Sequence, residues 1–474
     1  MRGFVRLMAV VVTAAVFVVA CSKDKDSGKI TLDSPAVFFA QAGGSATVGF
    51  TAQNIKTLSA TSKPTGWDEA VVDLAGATIS VKAPSAEDIE SGDAVKTGSF
   101  SFTGYTPGGT LVSATLFAGI VTTKDISAEV ANSYIVTEPE TNYLIDATRK
   151  GDGSQLATSY VNVVWQTASG FVQYADFEDG KASFYIGADS DDATKIKQGN
   201  AVIGAYDADG ELIWSWHIWA TDYDPDAEGG TVDFNGYTLM NRNLGALAND
   251  NSTTDKILAS YGLYYQWGRK DPFIGANRIQ KNYTDEYEGV GFQTTGDNGF
   301  TALFLYNDAL CEGFKFVNKE MDMSMSIANP TVFYGVYNSG GWKGSNSEVE
   351  DYWGGASGTK TNNDPCPAGY RVPTFDEING FIKDIDTNKT AQENVSDQSY
   401  GRKYTVGDQT FMFPGSALRV WSAKMRYPGR VTFFWSSTIS PTTEKKALDF
   451  YDYRWNTNAD NTCCAMAVRC IKIQ

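Results

Sequence analysis

Asp364-Pro365-Cys366-Pro367 sets a cysteine between two prolines, and the stretch continues through Arg371, Thr374 and Glu377 to Ile378. A thiol attacks substrates or binds metals only as the thiolate, which a histidine, a helix N-terminus or a metal must stabilise. The chain has one histidine, His217. Any Ser-His-Asp triad, Cys-His dyad or histidine-rich zinc site would have to use it. Asp222, Asp224 and Asp226 alternate as calcium ligands do, but the stretch lacks the glycine at position six and the glutamate at twelve of an EF-hand loop. A solvated interdomain linker is the better reading of these acids. No catalytic residue, metal or cofactor is expected, and the chain reads as a non-enzyme.

The elements around Cys366 support that reading. Thr374 and Glu377 fit a capping box, and Phe375, Ile378, Phe381, Ile382 and Ile385 follow at helical spacing. The expected helix is roughly three turns long. Cys366 lies eight residues before its cap, too far for the helix dipole to lower the thiol pKa. A second helix is expected near Tyr261, where Leu263, Tyr264 and Trp267 share a helical face and Gly268 and Pro272 stop it. Late in the chain, runs around Phe411, Phe433, Leu448 and Ala467 alternate as antiparallel strands, the last continuing to Ile473.

Composition bounds the rest. The 474 residues are 42% hydrophobic, 13% aromatic and 20% charged, with formal net charge -17. That describes a packable, multidomain chain and disfavours nucleic-acid binding. Arg2 and Arg6 precede an apolar run over residues 7–19, too short to span a bilayer. Val18-Val19-Ala20-Cys21 resembles a bacterial lipobox. The resemblance implies cleavage of residues 1–20 and lipid attachment at Cys21. Residues 21–29 form a polar tether whose acids resemble the surface-export signal of Bacteroidetes lipoproteins.

Residues 30–124 read as an all-β sandwich, from alternation at Ala46–Phe50, Phe100–Phe102 and Ile79–Val81. Residues 125–222 read as a second. Strands are expected near Tyr134, Val163, Phe184 and Ile203, and Asp207-Ala208-Asp209-Gly210 turns the chain into a strand holding Trp214, Trp216, His217 and Trp219. Its period-two faces suit an aromatic ligand platform or a strand packed on both sides at a domain boundary. The second use is the commoner and is favoured, with His217 as a packed imidazole. This segment resembles a β-sandwich module of Bacteroidetes surface and fimbria-associated lipoproteins.

Residues 231–474 hold, in order, "MNRNLGA", "GLYYQWGRKDPF", "DPCPAGYRVPTFDEI", "WSST" and "AVRC". Together these closely resemble the Fibrobacter succinogenes major paralogous domain family, which is related to the sulfatase-modifying-factor fold and to the C-type-lectin-like fold. The resemblance implies an α+β domain with two helices, a twisted antiparallel sheet and long functional loops. It also implies a Cys366–Cys470 disulfide, with Cys311 pairing with Cys463 or Cys464. Formylglycine-generating enzymes of that kinship hold copper on a cysteine pair before the last strand, whereas here Cys463 and Cys464 are adjacent and residues 435–462 have none. Of the calcium-lectin triplets, Trp455-Asn456-Thr457 matches one only in part. Trp342, Tyr352 and Trp353 lie in a Gly/Ser/Asn-rich stretch with the composition of a binding loop, and with Trp455 they are the candidate ligand contacts; anchoring the loop to the core fits the same rings.

The fold class expected is therefore two Ig-like sandwiches followed by an α+β C-type-lectin-like domain. The function expected is that of an outer-membrane, cell-surface lipoprotein, an adhesin for a glycan or protein partner. A fimbrial tip or accessory subunit is the alternative.

Overall fold

The computed structural model describes residues 26–234, 236–277, 279, 303–306, 308–311, 314–335, 342, 351–388, 401–406, 409–439, 444–451 and 454–474. Cys21 and the lipobox lie outside these residues, as does the Trp455 side chain. The chain is mostly β, in several separate sheets.

The first unit pairs two four-stranded sheets. One has the order Lys29–Leu32, Ser45–Gln53, Thr78–Lys82, Val71–Asp73; the other Ala36–Phe39, Leu111–Ile120, Thr97–Tyr105, Thr57–Ser62. Alternation drives it: Val48 and Phe50 point inward from one sheet, Phe100 and Phe102 from the other, and all four are buried around Trp67. Ser85 and Asp88 form a capping box for the helix Ala86–Ser91, which ends on the left-handed Gly92.

The second unit repeats the plan. Ser133–Val136, Leu212–Ala220, Gly199–Tyr206 and Tyr160–Gln166 make one sheet; Val172–Glu178, Lys181–Ile186, Thr141–Asp146 and Thr122–Asp125 make the other. Thr122–Asp125 pairs in parallel with Thr141–Asp146, so the boundary expected at residue 124 falls inside a strand of this second sandwich. The Asp207 turn forms as the sequence indicates: its carboxylate accepts the N–H groups of Asp209 and Glu211, and Gly210 takes positive φ. The two sandwiches meet at a small aromatic contact, with Phe117 stacked 5.6 Å from Tyr174.

In the C-terminal unit a four-stranded sheet (Thr231–Phe234, Tyr237–Met240, Ile471–Lys472, Tyr370–Arg371) stands beside a seven-stranded one built around Ala465–Ala467 and Thr432–Ile439. The helix Phe375–Asn388 starts on the expected box, with Thr374 N–H donating to Glu377 Oε2 at 2.8 Å and Glu377 N–H to Thr374 Oγ1 at 3.3 Å. Phe375, Ile378 and Phe381 are buried beneath it.

Four expectations change. The segment around Tyr264 is a strand, Tyr264–Gln266, paired with Ala465–Ala467; the nearby helix is Thr254–Ser260. Gly262 and Gly268 take positive φ and bound that strand, a conformation that does not continue a helix. The last strand is broken: Ala465–Ala467 serves the large sheet and Ile471–Lys472 the small one, with Arg469 buried at the crossing. The stretch from Asp222 keeps its acids solvated but is tied down against the C-terminal unit. Tyr223 is buried and donates its hydroxyl to Gly230 O at 2.6 Å, and Asp226 accepts Lys472 Nζ at 2.7 Å. Finally, the second sandwich is not set apart from the C-terminal unit by a linker. Trp165, Val202 and Trp219 lie in the same hydrophobic core as Trp267, Phe314 and Phe434.

Candidate functional site

Cys366 is bonded to Cys470 with their Cα atoms 6.0 Å apart, joining the approach to the long helix to the end of the chain. Asp364, fully buried, organises the turn. Its Oδ1 accepts the Cys366 N–H at 2.8 Å and its Oδ2 the Val372 N–H at 2.8 Å. Lys360 Nζ completes the knot, donating to Asp364 Oδ1 at 3.0 Å and to the carbonyls of Cys366 and Tyr370 at 2.8 Å each. A buried carboxylate is tolerated when its lone pairs are met this way. Cys366 is a staple.

The strand Leu212–Ala220 divides two cores. Trp214, Trp216 and Ile218 pack inside the second sandwich, whereas Trp219 faces the C-terminal unit. The polar side chains between them tie the units together. Lys270 Nζ donates to Ser215 O at 2.9 Å, Ser215 Oγ at 2.5 Å and Asp271 Oδ1 at 2.7 Å, and lies 4.5 Å from the Trp214 ring centroid. Asn132 Nδ2 reaches the carbonyls of Asn362 and Asp364. Residues 303–306 return to the sandwich edge, where Gln166 and Phe304 exchange backbone hydrogen bonds.

His217 is buried in this junction. Its Nε2 donates to Asn200 Oδ1 at 2.8 Å, since the Asn200 amide N–H is directed at Gly245 O. Its Nδ1 lies 3.0 Å from Ser133 Oγ, which is also 2.6 Å from Pro365 O. One hydroxyl proton cannot serve both neighbours, an accounting that favours a second ring proton. Burial opposes it, and no nearby carboxylate offsets burial among the described residues, so the pKa is pushed down to about 3. The imidazole is neutral and structural. An unfolded chain takes up a proton below about pH 6.5 that the folded ring refuses. The stabilisation is therefore complete above that pH and is lost as pH falls toward 3. Urea denaturation of the wild type should lose about 1.4 kcal/mol per pH unit from this group between pH 6 and 4, and His217→Gln should show a correspondingly flatter profile. Parallel profiles would show that the ring is not held neutral.

Of the expected ligand aromatics, Trp342 and Trp353 are core residues. Trp342 is buried and donates its indole N–H to Trp267 O at 2.8 Å; Trp353 is buried and donates to Asn363 O at 2.9 Å. Tyr352 is half-buried against both Trp267 and Trp342. An indole packed on all sides with its N–H on a carbonyl offers no face to a sugar. The loop residues 336–341 and 343–350 lie outside the described residues. The expected disulfide from Cys311 to Cys463 or Cys464 is also corrected. Cys311 and Cys463 are buried thiols in different hydrophobic clusters, Cys311 beside Val164 O and Cys463 with Trp342 and Met321; Cys464 is a buried thiol too. Dense apolar packing satisfies a cysteine as well as a bridge does.

What the junction leaves open is a cleft of about 420 Å³ between the second sandwich and the C-terminal unit. Asn132, Gly151 and Asp152 line it from one side, Lys360, Thr361 and Asn362 from the other. Asp152 is exposed, and hydrogen bonds from Ser154 and Asn362 hold its carboxyl below the usual carboxylate value. Asn362 Oδ1 is buried with no hydrogen-bond partner in the protein. A Cβ on residue 151 would lie 3.1 Å from that oxygen, so glycine keeps the wall open there. A wall of one carboxylate, one ammonium and asparagine amides suits a ligand rich in hydroxyl groups. Sequence reading passed over these residues. Their signals were the tight "KGDGS" turn at 150–154 and the paired asparagines before Asp364.

No family model matches the chain, and no curated protein matches it. Among solved structures, it is similar to a tri-modular endo-beta-1,4-glucanase of Bacillus licheniformis complexed with cellotetraose, at 12% identity and TM-score 0.14, over 40% of this chain and 38% of that one. It is similar to the SGBP-B protein of a Bacteroides ovatus mixed-linkage glucan utilization locus, complexed with a heptasaccharide, at 12% identity and TM-score 0.12, over 39% and 43%. The adhesin InvE of Yersinia pseudotuberculosis shares 11% identity at TM-score 0.14, over 49% of this chain and 80% of that one. The chain thus spans under half the length of the first two, and likenesses this loose assign neither fold nor function.

Proposed function

We propose that this is a surface binding protein, anchored to the outer membrane through a lipid on Cys21, whose second sandwich and lectin-like C-terminal module jointly hold a glycan. The observation that carries it is the cleft between the two, which Asp152, Lys360 and Asn362 line. The groups that sequence alone offers for catalysis support a binding role: His217 is locked at the junction and Cys366 in a disulfide. A glycan array probed with residues 22–474, the mature chain without its lipidated cysteine, should show binding. Asp152→Ala and Asn362→Ala should each weaken it about tenfold or more, the worth of one or two hydrogen bonds, one of them to a charged acceptor. Equal binding by the variants, or none by the wild type, refutes the cleft as a glycan site.

A further inference from the structure

We propose that the hairpin tip between Tyr105 and Leu111 rests on the lipid surface to which the chain is tethered, an inference that depends on the lipid-anchor reading of Cys21. Tyr105 and Leu111 are 45% and 56% exposed and stand directly opposite one another in the ladder of Thr97–Tyr105 with Leu111–Ile120. Directly opposed residues share one face of a sheet, so the two side chains form a single apolar patch. The residues between them, Thr106-Pro107-Gly108-Gly109-Thr110, carry no charge.

The tether is fastened to this same tip. Asp26 Oδ2 accepts from Thr106 Oγ1 at 2.5 Å and Thr110 Oγ1 at 3.2 Å, and Oδ1 accepts the Gly108 N–H at 3.2 Å. Gly28 passes so near that a Cβ there would lie 2.7 Å from Thr106 and 2.8 Å from Ile55. Cys21 is five residues before Asp26, and five residues reach at most about 18 Å. The opposite pole of the sandwich is occupied. The ten-residue strand Leu111–Ile120 carries the chain away from the tip, about 20 Å to Phe117 and about 33 Å to Val121, to the contact with the second sandwich. The tip is thus the membrane-facing pole. Lys29 and Lys56 are exposed beside it, and the Lys56 N–H donates to Tyr105 O at 2.7 Å. In a chain of net charge -17 this end offers lysines to anionic headgroups while its Asp26 carboxylate is taken up by the turn. Tyrosine is a residue that bilayer interfaces favour.

The test uses the mature chain from Cys21, coupled through that thiol to a maleimide lipid in phosphatidylethanolamine–phosphatidylglycerol vesicles. Cys311, Cys463 and Cys464 are buried and out of reach of the reagent. Hydroxyl-radical footprinting should modify Tyr105 and Leu111 at least threefold more slowly than in the same chain coupled to a water-soluble maleimide. Val71, 66% exposed on a sheet edge, serves as the dose control and should be unchanged. Equal rates at Tyr105 and Leu111 overturn the hairpin contact. The anchor itself is read separately, as acyl mass on Cys21 in protein taken from cells. An unacylated Cys21 there overturns the anchor reading, whatever the vesicles show.

Discussion

Replacing Cys366 and Cys470 together by alanine is expected to lower the unfolding free energy of the C-terminal unit by about 4–5 kcal/mol. The bond closes a loop of 104 residues, and on chain-entropy grounds the stabilisation grows with the logarithm of loop length. Both side chains are fully buried, so alanine is a better probe than serine, which would bury a hydroxyl without an assured partner. Asp364 continues to hold the residue 366 N–H in the variant, because that hydrogen bond is to backbone. Urea denaturation followed by tryptophan fluorescence measures the loss, and the reduced wild type should coincide with the variant. A loss under about 1 kcal/mol would mean that the denatured chain is already constrained without the bond.

Lys270→Met should cost about 3–5 kcal/mol, because it strands the Asp271 carboxylate in a site that water does not reach. The two side chains are 1% and 5% exposed, and the ammonium also lies on the Trp214 ring. Adding Asp271→Leu should recover most of the loss, since removing both charges ends the desolvation penalty that the single change exposes. The cycle of single and double variants reads the coupling directly. Additive losses would mean that the pair is not coupled. As Ser215 belongs to the second sandwich, the single variant should also speed hydrogen exchange at residues 215–219, on the far side of the junction.

Short-range signals were the legible part of this fold. The Thr374–Glu377 box and the Asp207 turn act within three or four residues, so type and spacing suffice to read them. Strands such as Thr97–Tyr105 were equally plain, because period-two alternation records which face is buried. Leu212–Ala220 showed its boundary position by being apolar or aromatic on both faces. Tyr264–Gln266 failed for the opposite reason. Its aromatic run fits helical and strand spacing alike, and the deciding partner, Ala465–Ala467, lies about 200 residues later. Trp342 and Trp353 misled because a loop rich in Gly, Ser and Asn looks like a binding loop, whichever way its rings turn. The cleft could not be read at all: its walls meet where Asn132 bonds Asn362, 230 residues apart.

The core shared by Trp165, Val202 and Trp219 with the C-terminal unit bears on how this chain can be cut, copied or exchanged. A recombination break near residue 222 would leave one product with a bare tryptophan face and the other without the strand that shields its aromatic interior. Residues from about 122 to the C-terminus should therefore pass between genes as one cassette. The first sandwich, joined through the small patch around Phe117 and Tyr174, is the part that evolution can lengthen, duplicate or discard.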